Sequence, residues 1–428
     1  MSLLPDDYPA RYVLANEVHA RPYEALETSE RASFLAVLVD PADRARERAH
    51  LATLFERFAA PVPPAEANHL SVSLGTFRIK WERHGEFSVY TVFVRGRSPQ
   101  PFSEPAFAAL PADWLRAIPG RTIVAAHAKL VAVEGDPADA AMLSRMFEGN
   151  APIGSEIGGG AGFAFTDFKI HADGCVRFLV LDRRFTPRQA GRMLQRLFEI
   201  ETYRVLALMA LPVARAEGPR VARIEGALGA LTDRMAREDG ADEKLLGQLT
   251  GLAAEVESAI ATSQYRFGAS RAYHKLVDSR IAELRESRLP GLQTIGEFMG
   301  RRLAPAMATC ESTAGRMAGL SERVARTSAL LSTRVEIARE RQNQALLASM
   351  DRRAQLQLRM QATVEGLSTA AITYYVVGLI GYAAKALKAA GLHVDPEQTI
   401  GIAIPFVVLL VALGIRRMRR KLVGHEHD

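Results

Sequence analysis

The chain has 428 residues, 48% of them hydrophobic and 24% charged, which suffices for a sizeable core and excludes compositional disorder. Its net charge of +6 is spread along helices and densest beside two uncharged C-terminal stretches, so anionic lipid headgroups account for it without nucleic acid. Two cysteines, Cys175 and Cys310, are too few for a structural zinc site or a disulfide framework, and no metal or cofactor set is recognisable.

The start, Met1-Ser2-Leu3-Leu4-Pro5-Asp6-Asp7, lacks a basic segment followed by an apolar one, so no cleaved secretory signal is expected. Residues 1–186 mix β-like runs with amphipathic helices. The runs are Ser33–Val39, Leu70–Lys80, Phe87–Arg95, Thr122–Val133, Phe163–His171 and Cys175–Leu181. Helices are expected at about Pro41–Ala59, Glu104–Ala117 and Pro137–Phe147. His84-Gly85-Glu86 and Asp173-Gly174 each separate two apolar runs and predict hairpins. This order predicts a sheet covered by helices, an α+β or α/β cytoplasmic domain. Gly158-Gly159-Gly160-Ala161-Gly162 lacks the Lys-Ser/Thr of a phosphate-binding loop and precedes a strand, so it is expected to be a flexible connector.

Strand signals stop after Thr186-Pro187. Residues 187–306 read as helices over Pro187–Leu211, Arg220–Arg237 and Asp242–Arg288, broken at Leu211-Pro212, Gly218-Pro219 and Leu289-Pro290-Gly291. Residues 307–366 form one long stalk helix in which Cys310, Met317, Val324, Leu331, Ala338 and Ala345 recur at seven-residue spacing. That stripe can meet copies of itself, giving a homo-oligomer through residues 307–384, or pack against the preceding helices of its own chain.

Residues 367–384 and 399–415 each approach the ~17–25 residues an α-helix needs to cross a bilayer. The intervening loop, 385–398, balances Lys385 and Lys388 against Asp395 and Glu397, whereas the tail, 416–428, carries Arg416, Arg417, Arg419, Arg420 and Lys421. Basic short segments stay cytoplasmic, so both termini are expected inside, with the lipid bilayer as the first partner. His425-Glu426-His427 in that tail is too exposed a pair of histidines for a defined metal site.

Three polar clusters are candidates for ligand binding. Asn16, His19 and Arg21, with Glu17, form one; Lys80, Trp81, Glu82 and His84 a second; Asp167 and His171, with Asp173, a third. Convergence in a cleft would make them a site, while solvated turns or internal ion pairs would account for them otherwise. No Ser-His-Asp or Cys-His arrangement stands out by spacing, so no catalytic residue is assigned.

The strings Ala15-Asn16-Glu17-Val18-His19-Ala20-Arg21-Pro22, Lys80-Trp81-Glu82-Arg83-His84-Gly85-Glu86-Phe87-Ser88, Thr166-Asp167-Phe168-Lys169-Ile170-His171-Ala172-Asp173-Gly174 and Gln342-Asn343-Gln344-Ala345-Leu346-Leu347 resemble a bacterial membrane-anchored family, domain-of-unknown-function family 3422. The resemblance runs along essentially the whole chain. It implies residence in the bacterial inner membrane and supplies no activity.

A fainter similarity of topology is to CorA-type magnesium transporters. Their Gly-x-x-Gly-Met-Asn signature is met here by Gly378-Leu379-Ile380-Gly381-Tyr382-Ala383, which keeps the glycines and loses the Met-Asn. Ala383 offers no oxygen for a hydrated cation, and Lys385 and Lys388 would repel one. The sequence thus predicts a membrane-anchored cytoplasmic binding or scaffold protein, the alternative being a divergent ion transporter or channel subunit.

Overall fold

The computed structural model describes residues 6–17, 22–64, 67–98, 102–237, 242–391, 393 and 395–423. The chain forms two compact units, Met1–Ser328 and Ala329–Asp428.

The first unit opens with α1 (Arg11–Glu17), β1 (Glu30–Leu38), α2 (Arg44–Arg57), β2 (His69–Leu74), β3 (Phe77–Arg83) and β4 (Phe87–Arg95). It continues with α3 (Ala112–Arg116), β5 (Arg121–Ala132), α4 (Ala140–Met146), β6 (Ile153–Ile157), β7 (Gly162–Thr166) and β8 (Val176–Asp182). Helices follow: α5 (Pro187–Leu208), α6 (Ala210–Arg237), α7 (Asp242–Leu284), then the short β9 (Ser287–Arg288), α8 (Ile295–Arg302) and the start of α9 (Ala304–Ala389). The strands make one sheet of order β2-β3-β4-β1-β5-β8-β7-β6-β9. Among the described residues β5 and β8 pair in parallel and the other pairings are antiparallel.

Strand alternation divides this sheet between two layers. On one face Leu35, Val37, Ile79, Trp81, Tyr90 and Val92 bury against Leu51, Leu54 and Phe55 of α2 and Trp114 of α3. Farther along, Phe163, Phe165, Leu179 and Leu181 enclose Leu143 of α4 and Phe147. On the opposite face α5 crosses the sheet. Its Phe198 stacks on Phe34 at 4.6 Å and meets Phe178 edge-on at 5.8 Å. Thr186 caps α5 by accepting from the Gln189 amide, and Pro187 occupies the first turn, where its missing N–H is harmless. α7 packs along α5, giving a second helical layer.

The helices α6 and α7 and the first part of α9 form a bundle with a core that includes Ile224, Leu228, Val256 and Leu320, all buried. Arg223 of α6 bonds Glu255 of α7 at 2.9 Å, and Ser321 of α9 donates to Glu257 of α7 at 2.6 Å. Cys310, Met317 and Val324 are buried at 3%, 2% and 2% exposure. This part of the seven-residue stripe therefore packs inside its own chain, as Ser263 Oγ donating to Met317 Sδ illustrates. Beyond it Ala338 and Ala345 are exposed.

Several elements differ from expectation for identifiable reasons. The Leu70–Lys80 run is divided by a turn at Gly75-Thr76, where Gly75 takes φ +66°. The Phe163–His171 run stops as a strand at Thr166, because Phe168 takes φ +50°. Gly158, Gly159 and Gly160 at φ +66°, +68° and +82° build the turn between β6 and β7, so the glycine run is a specific hairpin rather than a flexible connector. α6 runs through both prolines that were expected to break it: Pro212 lies in its first turn and only Pro219 is interior.

The second unit consists of the remainder of α9 and α10 (Pro396–Val423). Two described helices, α9 and α10, contain stretches long and apolar enough to cross a membrane. Gly381 lies against Ile400, and a methyl group on it would come within 2.8 Å of that side chain, so the two helices touch where glycine permits.

Candidate functional site

Strand β3 sends Phe77, Ile79 and Trp81 toward α2 and, by the same period of two, Arg78, Lys80 and Glu82 toward α5. In the register with β4, Lys80 stands opposite Thr91 and Glu82 opposite Val89. From α5, Leu194, Gln195, Phe198, Glu199, Thr202 and Tyr203 project toward these strands, and α7 adds Arg280. Between them lies a cavity of about 280 Å³, which Lys80, Glu82 and His84 line. Glu24 closes one edge. Its carbonyl passes so close to Gly191 that an added Cβ would sit 1.6 Å away, and Leu26 N donates to Pro187 O at 3.0 Å to hold the crossing segment.

The wall has two characters. Phe34, Phe87, Val89, Phe93, Leu194 and Phe198 supply apolar surface. The rest is a ladder of alternating charge: Lys80 Nζ lies 2.9 Å from Glu82 Oε1 and donates to Gln195 Oε1 at 3.3 Å, and Gln195 Nε2 donates to Glu199 Oε1 at 2.8 Å. Arg280 closes the series through Glu199 on one side and Glu283, at 2.8 Å, on the other. Burial opposes the Arg280 charge, but the carboxylates of Glu199 and Glu283 outweigh it and raise its pKa. Lys80 and Glu82 are only 4% and 7% exposed and lie against each other, so each buried polar head has an opposite partner.

The rim is equally organised. The His84 ring stacks on Phe87 at 4.4 Å, and Arg44 donates to the His84 carbonyl at 3.2 Å. Beside it, Glu86 accepts from Arg266 at 2.9 Å and from Tyr273 at 2.8 Å. Burial and then the Glu86 carboxylate push the Tyr273 phenol well above its ordinary pKa.

Trp81 does not belong to this cavity. Its indole donates to Glu47 Oε1 at 3.2 Å, and Tyr90 OH donates to the same oxygen at 2.9 Å, within the core beneath α2. The step of one residue from Lys80 is what sends it to the other face. Asp167 and His171 are also elsewhere. Both side chains are at most 1% exposed, with His171 Nε2 3.0 Å from Asp167 Oδ2 and Nδ1 3.1 Å from Glu148 Oε2. The first approach is a close contact in which Nε2 makes no hydrogen bond among the described residues. Arg177 donates to Glu148 at 2.8 Å and Asn150 to Asp167 at 2.9 Å, closing a network that ties the loop after β7 to β8. Bonds from His171 and Arg177 lower the Glu148 pKa.

Two further groups near this network are chemically quiet. Burial and the neighbouring Asp173 push the Cys175 thiol up to about 12, which removes it as a nucleophile at neutral pH. Burial pulls His127 down to about 4, so it is neutral at pH 7, and its Nδ1 lies 2.9 Å from Ser33 Oγ.

Of the first cluster, His19 and Arg21 and the side chain of Asn16 lie outside the described residues. The chain that follows them nevertheless delivers Glu24 to the cavity edge. Sequence reading missed Glu24, Thr91, Gln195, Glu199 and Arg280. The available signal was Gln195 and Glu199 at i, i+4 on the otherwise apolar face of α5. Among the described residues no group of three or more His, Cys, Asp or Glu side chains is placed to hold a metal ion. At the other end of the chain Arg416 and Arg417 are exposed on α10, and Arg419, Arg420 and Lys421 continue the same helix.

A family model described as "Protein of unknown function (DUF3422)" matches residues 6–422, nearly the whole chain, and the chain belongs to that family. No curated protein matches the chain, and no solved structure does. The fainter likeness to CorA-type transporters finds no support there.

Proposed function

We propose that this member of the DUF3422 family is a small-molecule-binding protein anchored in the bacterial inner membrane, with its α/β body and both termini in the cytoplasm. The cavity between β3, β4 and α5 is the observation that carries the reading. A buried ion pair, Lys80–Glu82, and a half-buried one, Glu199–Arg280, face an aromatic wall across open space; ion pairs are costly to desolvate, and their position at a cavity is what a polar ligand would use.

The anchor follows from the apolar stretches of α9 and α10 and from the basic residues Arg416, Arg417, Arg419, Arg420 and Lys421 that flank the second. Residues near Gly391 then face the periplasm. In a background lacking Cys175 and Cys310, a thiol introduced at Gly391 should label in intact cells, and one at the exposed Glu134 only after permeabilisation. The reverse pattern would overturn the orientation.

Binding itself is tested by equilibrium dialysis of the detergent-purified full chain against a small-molecule extract of bacterial cells, read by mass spectrometry. One compound class should be enriched on the protein side. Equal composition on both sides would contradict the reading.

A further inference from the structure

The chemistry of the ligand can be read from the balance of charge in the wall. Lys80 is matched by Glu82 and Arg280 by Glu199, with Gln195 oriented so that its carbonyl faces the ammonium and its amide faces the carboxylate. The remaining acid at the edge, Glu24, lies 3.0 Å from Arg78, which also reaches Glu30 at 3.1 Å. The wall is thus built of full charges of both signs, each beside an opposite partner. Bringing a singly charged molecule in would strand an uncompensated charge at low dielectric, and a wholly apolar one would leave the ladder desolvated without partners.

A head that carries both signs avoids each penalty. Its carboxylate can accept from Lys80, whose ammonium has three donors of which Glu82 and Gln195 take two among the described contacts. Its ammonium finds Glu82 or Glu199. The apolar wall of Phe34, Phe87, Phe93 and Phe198 then receives the body of the ligand. A cavity of about 280 Å³ lies just below the ~300–1,000 Å³ of drug-sized sites and suits a molecule smaller than those.

We propose that the cavity selects a zwitterion with an apolar side chain, a free aromatic or branched amino acid being the class, through the Lys80–Glu82 and Glu199–Arg280 pairs. This assignment rests on the binding function proposed above.

The test is calorimetric titration of the full chain in detergent with L-phenylalanine, 2-phenylethylamine, 3-phenylpropionate and 2-phenylethanol. These share one ring and differ in charge. Phenylalanine should bind at least about tenfold more tightly than either singly charged analogue. The double variant Lys80→Met/Glu82→Gln removes one pair without leaving an orphaned charge; it should weaken phenylalanine about tenfold or more while changing 2-phenylethanol less than about threefold. The single variant Glu82→Gln removes the acid beside Lys80 and should shift preference toward 3-phenylpropionate. A singly charged or neutral analogue that binds as tightly as phenylalanine, and loses affinity in the double variant, would overturn the zwitterion assignment and leave the binding function standing. Absence of binding by all four probes would also overturn it, and together with no enrichment in the dialysis experiment would remove the binding function as well.

Discussion

Lys80 and Trp81 follow one another in β3 and serve opposite layers: the Lys80 ammonium lies 2.9 Å from Glu82 at the cavity, whereas the Trp81 indole donates to the buried Glu47 at 3.2 Å. A single strand thereby couples the core beneath α2 to the cavity beneath α5, and substitutions one residue apart should have different consequences.

Trp81→Phe removes one of two donors to Glu47, which is 1% exposed. Leaving that carboxylate with Tyr90 alone should cost about 1–3 kcal/mol of stability in urea denaturation, with ligand affinity unchanged. If affinity falls while stability is retained, Trp81 acts at the cavity and the division of labour along β3 is wrong.

Gly191→Ala places a methyl group where the Glu24 carbonyl passes. The crossing segment around Glu24–Leu26 must move off α5, so stability should fall by about 1–3 kcal/mol and the cavity should open at that edge. Circular dichroism melts combined with ligand titration would register both effects. An unchanged melt would mean that the segment is not held against α5.

Acid stability should depend on His127. Its pKa is about 4 in the folded chain against 6.5 for the free side chain, so the unfolded state binds the proton first. The stabilisation is complete above pH 6.5 and is lost as pH falls from there toward 4. The full difference amounts to roughly 3 kcal/mol, an order-of-magnitude figure from the pKa gap. Melting temperatures of the His127→Gln variant should therefore decline less steeply than those of the native chain over this interval. Parallel declines would remove His127 as the cause.

The buried half of the α9 stripe should be unreactive and the exposed half reactive. With both native cysteines replaced, a thiol at Val324 should resist maleimide under native conditions, and one at Ala345 should label rapidly. Rapid labelling at Val324 would show that the bundle of α6, α7 and α9 is open. Self-association through the α9 stripe would accordingly use its exposed residues beyond Val335.

Much of this architecture was legible in the residues. Apolar β-like runs identified β1, β4 and β5, and alternation identified the face shared by Phe77, Ile79 and Trp81; the runs are near-continuous in β1 and β4 because helices cover both faces there. Turn chemistry was less readable: the glycines at 158–160 specify a hairpin only once β6, a short run containing Gly154, has β7 to pair with. Lys80 and Glu82 stood out in the sequence as members of one polar cluster. Their convergence with Glu199 and Arg280 did not, since it depends on α5 crossing the sheet more than a hundred residues later in the chain. For the same reason the distance of Asp167 and His171 from the cavity was invisible. Their spacing of four is compatible with either a shared strand face or the bent loop that Phe168 creates.

The most direct measurement is native mass spectrometry of the full chain released from membrane nanodiscs, comparing the native sequence with Thr91→Trp, which fills the cavity from β4, and with Lys80→Met/Glu82→Gln. The native chain should carry a bound molecule of zero net charge and mass in the amino-acid range, and both variants, shown to be folded by their melting curves, should be released without it. A native chain that emerges with nothing bound, or a ligand retained equally by both variants, would contradict the assignment of this cavity as the binding site.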